Sequence, residues 1–186
     1  MATLTKIKIS DDIELRKKLD EEYEKSSQVK LCKYAILLAE HILTTIKYKD
    51  MDNPIITAGY EVNKNWQEGT ARKHDVRQAG FQIHQLAKSS QDIITQTALR
   101  VVGQAVATGH MREHAMVSSD YAIKVINMLF PNDMNAVRRE RLWQIETLSN
   151  IENGEKDYCQ VKSTKEFKPA AGAGNGQGRR QPIHHP

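Results

Sequence analysis

The sequence predicts an all-α, single-domain bundle of about seven helices followed by a flexible C-terminal tail, on three observations. Apolar residues recur at intervals of three and four through most of the chain, which is the helical period. Asp, Asn, Thr, Gly and Pro interrupt that pattern at helix-length intervals, as start and stop signals do. No run alternates apolar and polar residues in the manner of a half-buried strand.

The elements follow in order. Asp11, with Glu14 three residues later, has the form of a capping pair and opens a charged, peripheral helix over about residues 11–25. Between Gln28 and Lys49 the chain is apolar around most of its circumference, through Leu31, Tyr34, Leu38, Ile42 and Ile46, which places a second helix in the middle of the bundle. Asn53-Pro54 starts a third helix carrying Ile55, Tyr60, Val62 and Trp66, and Gly69 ends it. Thr70 is placed to cap a fourth, whose Val76, Ala79, Ile83 and Leu86 share a face opposite Arg72, Lys73 and Arg77. The stretch Asp92–Gly109 is rich in β-branched residues, yet its uninterrupted length favours a helix over a strand. Its small residues Gly103 and Ala107, four apart, suit a close helix crossing. Glu113–Phe130 forms a sixth helix stopped by Pro131, and Asn135 caps a last one bearing Val137, Leu142, Trp143, Ile145 and Leu148. From Gly154 the chain turns to Lys, Ser, Thr, Gly and Pro; residues 1–153 thus read as the domain and 154–186 as a tail unable to offset its ordering entropy.

With 186 residues, 39% of them hydrophobic, one core is expected to bury roughly 70% of the surface the unfolded chain exposes. No disulfide or metal staple is needed. Cys32 lies in an apolar run and Cys159 in the polar tail, without zinc-like spacing. A reducing cytoplasm fits this usage. Met1–Ser10 lack the apolar centre of a signal peptide, and no apolar run reaches the ~20 residues of a membrane span.

The net charge of +4 is concentrated in the tail: residues 155–186 hold six Lys and Arg against three Asp and Glu, leaving twenty-one against twenty elsewhere. Duplex binding draws its affinity mainly from phosphate neutralisation by a concentrated basic stripe. None stands out, so neither nucleic acid nor membrane is an expected partner.

Chemistry-bearing residues are few. His110-Met111-Arg112-Glu113-His114 matches the H-x-x-E-H pattern in which two histidines on one helical face hold zinc. Gly109 immediately before His110 places a helix break there, and Asp120, His74, Asp75 and His84 are the residues that could complete a ligand set in three dimensions. Packed or solvated histidines explain the same pattern. Glu40-His41 interrupts the most apolar helix, so both are expected to be buried, with Glu40 paired to Arg72, Arg77 or a histidine because an unpaired buried charge is costly. Arg138-Arg139-Glu140-Arg141 with Trp143 reads either as a basic, aromatic binding face or as a solvated helix face, with Arg138 and Arg141 outward and Trp143 tucked inward. No serine elbow, P-loop or dinucleotide turn occurs.

Cys32 with Ala39-Glu40-His41, then Ala71-Arg72-Lys73-His74-Asp75-Val76-Arg77-Gln78-Ala79-Gly80-Phe81, Gly103-Gln104-Ala105-Val106-Ala107-Thr108-Gly109-His110 through His114-Ala115, and Tyr121-Ala122-Ile123-Lys124 together resemble the Imm-5-like family of bacterial immunity proteins. The resemblance spans about residues 28–150, and Gln104 stands where the family pattern suggests a histidine, which argues against catalysis at that position. It implies an all-helical protein that neutralises a cognate toxin domain by stoichiometric occlusion rather than turnover, and no cofactor or metal is expected. The expected partner-binding residues are Glu40, His41, Arg72, Asp75, His110, His114, Asp120 and Tyr121. A homodimer, a metal-dependent hydrolase using His110 and His114, and a small regulatory or nucleic-acid-binding module stand as alternatives.

Overall fold

Seven helices make up residues 7–152, the part of the chain that the computed structural model describes: α1 Ile13–Lys25, α2 Gln28–Thr45, α3 Pro54–Gln67, α4 Lys73–Ser89, α5 Ile93–Ala107, α6 His114–Leu129 and α7 Met134–Asn150. No strand occurs among the described residues, and none of these helices is long and apolar enough to cross a membrane. The tail expected over 154–186 lies outside them.

Short polar side chains set the helix starts. Asp12, Ser27, Asn53, Asp92 and Asp133 each accept a hydrogen bond from a backbone N–H in the first turn of the following helix. Three starts differ from expectation. Asp12 caps α1 because Asp11 is bound to Arg141 instead. Thr70 turns back to donate to the Asn65 carbonyl (2.9 Å), so α4 begins at Lys73, where the Asp75 carboxylate accepts from the Arg72 N–H (3.1 Å). Asp133, not Asn135, caps α7. Helix α2 stops at Thr45, ahead of Lys47 in a left-handed conformation (φ 53°).

α2 and α5 form the centre. α5 packs against α4, α6 and α2, while α3 lies over α4 and α1 lies along α7. Leu31, Tyr34, Leu38 and Ile42 of α2 are wholly buried, as are Val101, Val102, Ala105 and Val106 of α5. That burial explains why α5 is a helix despite its β-branched content: tertiary packing overrides a propensity deficit of a few tenths of a kcal/mol per residue, ~0.7 at most. Buried polar groups are matched locally. Ser118 donates to the Val101 carbonyl (3.0 Å), Asn63 to the Val106 carbonyl (2.8 Å), and Tyr34 to Ser119 (2.8 Å), whose own hydroxyl bonds the Ala115 carbonyl.

The α4–α5 crossing is as close as its small residues suggest. A Cβ on Gly80 would stand 3.2 Å from both the Ala107 Cβ and the Gly103 carbonyl oxygen, and one on Gly103 would stand 2.6 Å from His84 Cε1.

Two side-chain expectations are corrected. Glu40 is exposed, because Lys33, Leu37, Glu40 and Thr44 follow one another at helical spacing on the single solvent-facing stripe of α2. Arg138 faces outward but Arg141 is fully buried, where its guanidinium meets Asp11 (3.0 and 2.6 Å), Asp120 (2.8 Å) and Gln144 (2.8 Å). A buried cation is tolerated only with such pairing.

Candidate functional site

Three imidazoles gather where α4, α5 and the start of α6 converge. His84 comes from α4, His110 from the turn after α5, and His114 from the first turn of α6. Gln104 of α5 stands between two of them. His114 Nδ1 lies 2.6 Å from Gln104 Oε1, and Gln104 Nε2 lies 3.4 Å from His84 Nε2. An amide oxygen can only accept and an amide nitrogen can only donate. His114 therefore carries its proton on Nδ1, and His84 presents a bare Nε2 to the amide.

Burial, followed by the charges of Arg100, His114 and Lys88, pushes His84 down to about 4. His114 is lowered as well, first by burial and then by His110, against an opposing contribution from Glu113. Both rings are neutral near pH 7. The room for His84 comes from Gly103, whose missing Cβ would collide with the ring.

The loop that presents His110 is held rather than free. Gln28 at the start of α2 donates to the Thr108 carbonyl (2.8 Å). Arg112 donates to the Tyr23 carbonyl (2.7 Å) and the Ser26 carbonyl (3.2 Å), with its guanidinium 4.4 Å from the Tyr23 ring centroid. Gly109 passes over Trp66, where a Cβ would lie 3.0 Å from Cδ2. The result is a cavity of about 220 Å³ between Arg77, Gly80, Phe81 and His84 on one side and Ala107, His110 and His114 on the other. His110 Nδ1 is buried with no hydrogen-bond partner. Phe81 is 48% exposed at this site, and the Arg77 guanidinium lies 5.2 Å from its ring centroid.

The H-x-x-E-H reading does not match this arrangement. His110 sits in the turn and His114 opens α6, so the two rings, 6.3 Å apart and tilted by 31°, do not share a face of one helix. Among the described residues no group of three His, Cys, Asp or Glu side chains is arranged to hold a metal ion.

A second polar assembly lies at the opposite end of α6. His41 stacks on Trp143 (centroids 3.9 Å) and bonds Glu140 (3.0 Å) beside a groove of about 310 Å³. From Glu140 the network runs inward through Gln144 (2.9 Å) to Arg141 and Asp120, and Asp120 also receives Arg16 (2.9 Å). Burial acts to raise the Asp120 carboxyl, but Arg141 and Arg16 outweigh it and hold the group below the ordinary carboxylate range. Such a network locks α1, α6 and α7 together.

The structure thus divides the sequence candidates. His110 and His114 share the cavity, while Arg72 and Asp75 pair at the exposed start of α4 (2.8 Å), where Arg72 draws the Asp75 carboxyl down to about 2. His41 belongs to the Trp143 groove, Glu40 to the open face of α2, and Asp120 to the buried network beside half-buried Tyr121. Sequence reasoning did not single out Gln104 as a link or Arg77 and Phe81 as the aromatic, cationic part of the cavity. Their shared block with Gly80, next to the small-residue run of α5, was the available signal.

A model of the Imm-5 like putative immunity protein family matches residues 21–151, and the chain belongs to that family. The match begins within α1, somewhat before the resemblance read from the sequence motifs. No curated protein and no solved structure matches the chain.

Proposed function

We propose that this member of the Imm-5 like family is a cytoplasmic, non-enzymatic immunity protein that binds a cognate toxin domain one-to-one and occludes its active surface. Family membership over residues 21–151 is the observation that carries the reading. The contact face is the α4–α6 end with the turn between α5 and α6. It offers Arg77, half-exposed Phe81 and Met111, His110 on a turn pinned by Gln28 and Arg112, and His114 at the start of α6. Aromatic and arginine side chains around a desolvated pocket are the usual energetic centre of a protein interface. A pre-fixed loop lowers the entropy lost on docking. An interface of ordinary specific size buries ~1,600 Å² in total, for which this pocket would supply only the centre.

The test is a calorimetric titration of the full chain with the toxin-like domain encoded by the adjacent gene, carrying an inactivating substitution. Saturable one-to-one binding at nanomolar affinity, weakened by the double variant His110→Ala/His114→Ala with helix content preserved, is the expected result. Absence of binding by the wild-type chain overturns the reading.

A further inference from the structure

We propose that the cavity between α4, α5 and α6 is an anchor site for an acidic side chain, Asp or Glu, of the partner protein. This inference rests on the immunity reading for the identity of the partner, but not for the chemistry of the site.

The charge balance points to an anion. Among the described residues Arg16, Arg72, Arg138, Arg139 and Arg141 all pair with carboxylates, and Arg112 is used on backbone carbonyls. Arg77 and Arg100 have no carboxylate partner, and both border the His84 region: Arg77 lines the cavity, and Arg100 is close enough to depress the His84 pKa. Lys88 acts on His84 in the same sense. Arg77, Arg100 and Lys88 thus bring three cations without a carboxylate partner to the His84 side of one cavity.

The shape and donors suit a carboxylate. A space of about 220 Å³ is several times the ~30 Å³ share of a single water. Arg77 presents a planar fork that matches a carboxylate in two parallel hydrogen bonds. Its stacking against Phe81 orients the guanidinium beside an apolar surface. His110, whose Nδ1 is buried without a hydrogen-bond partner, forms part of the opposite wall. Glu113, the carboxylate acting on His114, is exposed.

N-acetyl-L-glutamate N-methylamide, titrated into the ¹⁵N-labelled full chain at constant ionic strength, tests the proposal through the imidazole and α4 amide resonances. Saturable shifts at His110, His114 and α4 are expected, with affinity reduced about tenfold in Arg77→Gln, the loss of roughly one charge-assisted pair. Arg77 is exposed, so that variant keeps the fold. The neutral analogue N-acetyl-L-glutamine N-methylamide should give no saturable shift. An equal response to the neutral analogue, or unchanged affinity in Arg77→Gln, overturns the site. If the glutamate probe binds while the inactivated toxin domain does not, the immunity reading fails and the carboxylate site stands. If the toxin domain binds wild type and Arg77→Gln alike and the probe does not bind, the reverse holds.

Discussion

Replacing Arg141 with Ala removes the centre of the buried ion network and is expected to be the most damaging single truncation of a surface-type residue in this chain. The side chain is fully buried and makes four short hydrogen bonds: two to Asp11, one to Asp120 and one to Gln144. Breaking a buried ion pair costs about 3–5 kcal/mol, because the remaining charge stays desolvated. Here the lower end applies. Asp120 retains Arg16 at 2.9 Å, and Asp11 is 14% exposed and can recover some water. A loss of about 3 kcal/mol lowers the melting temperature of a domain this size by roughly 6–12 °C. Calorimetry or circular dichroism at pH 7 reads that shift, and Arg141→Met separates lost packing from lost charge. A melting temperature within about 2 °C of wild type would refute the claim that this network holds α1 to α7.

The same network has an acid signature. The folded-state pKa of Asp120 is depressed, so its stabilisation is present above the unfolded carboxylate pKa and is lost as pH falls through the folded value. Removing Arg141 leaves burial less opposed and raises the Asp120 pKa. Acid unfolding of Arg141→Ala is therefore expected at higher pH than that of wild type, beyond the shift that equal destabilisation elsewhere produces.

Two further predictions concern the imidazole cavity. The folded pKa of His84 is about 4 against an ordinary 6.5, so the unfolded chain binds the proton first between those values, and stability present above pH 6.5 declines as pH falls toward 4. In denaturant titrations across that window His84→Gln should flatten the decline, leaving the smaller part due to His114; an unchanged slope would show that His84 is not buried as a neutral ring. Gly103→Ala gains up to ~1 kcal/mol of helix propensity against ~1–3 kcal/mol of overpacking, so the melting temperature should move by only a few degrees. The new methyl, 2.6 Å from His84 Cε1, must displace the ring into water, and imidazole NMR should show its pKa returning toward 6.5. A His84 titration identical to wild type would contradict the close α4–α5 crossing.

How far the fold could be read in advance follows from the range of each interaction. Helix identities were legible because periodicity and capping are local: Asn53-Pro54 and Asp92 start helices where their side chains can reach an N–H two or three residues on. Starts shifted where a distant residue competed for the cap. Asp11 would serve α1 equally well from sequence, but Arg141, 130 residues away, claims its carboxylate. Arg141 itself reads as part of a solvated basic run. Nothing within one turn distinguishes it from Arg138, because Asp11 and Asp120, which bury it, are both remote in sequence.

The cavity follows the same logic with a different outcome. His114 and Gln104 are ten residues apart, and Gln104 and His84 twenty, so three successive helices must dock in register before any of their contacts exists. The histidine pair is visible as a spacing, but the spacing alone does not show which way the two rings face. The turn at 108–113 rotates His110 away from the His114 face and converts the pair into cavity walls. Gln104 then gains significance from what it prevents. A histidine there would add a fourth imidazole to the cavity, between His84 and His114, whereas the amide joins those two neutral rings by one accepted and one donated bond. Gln104→His therefore exchanges a fixed pair of tautomers for three coupled titrating rings. Zinc titrated into that variant and into wild type distinguishes the two: stoichiometric uptake by Gln104→His alone would mean that the glutamine sets this chain's cavity apart as a polar recognition site, and equal uptake by wild type would overturn that role.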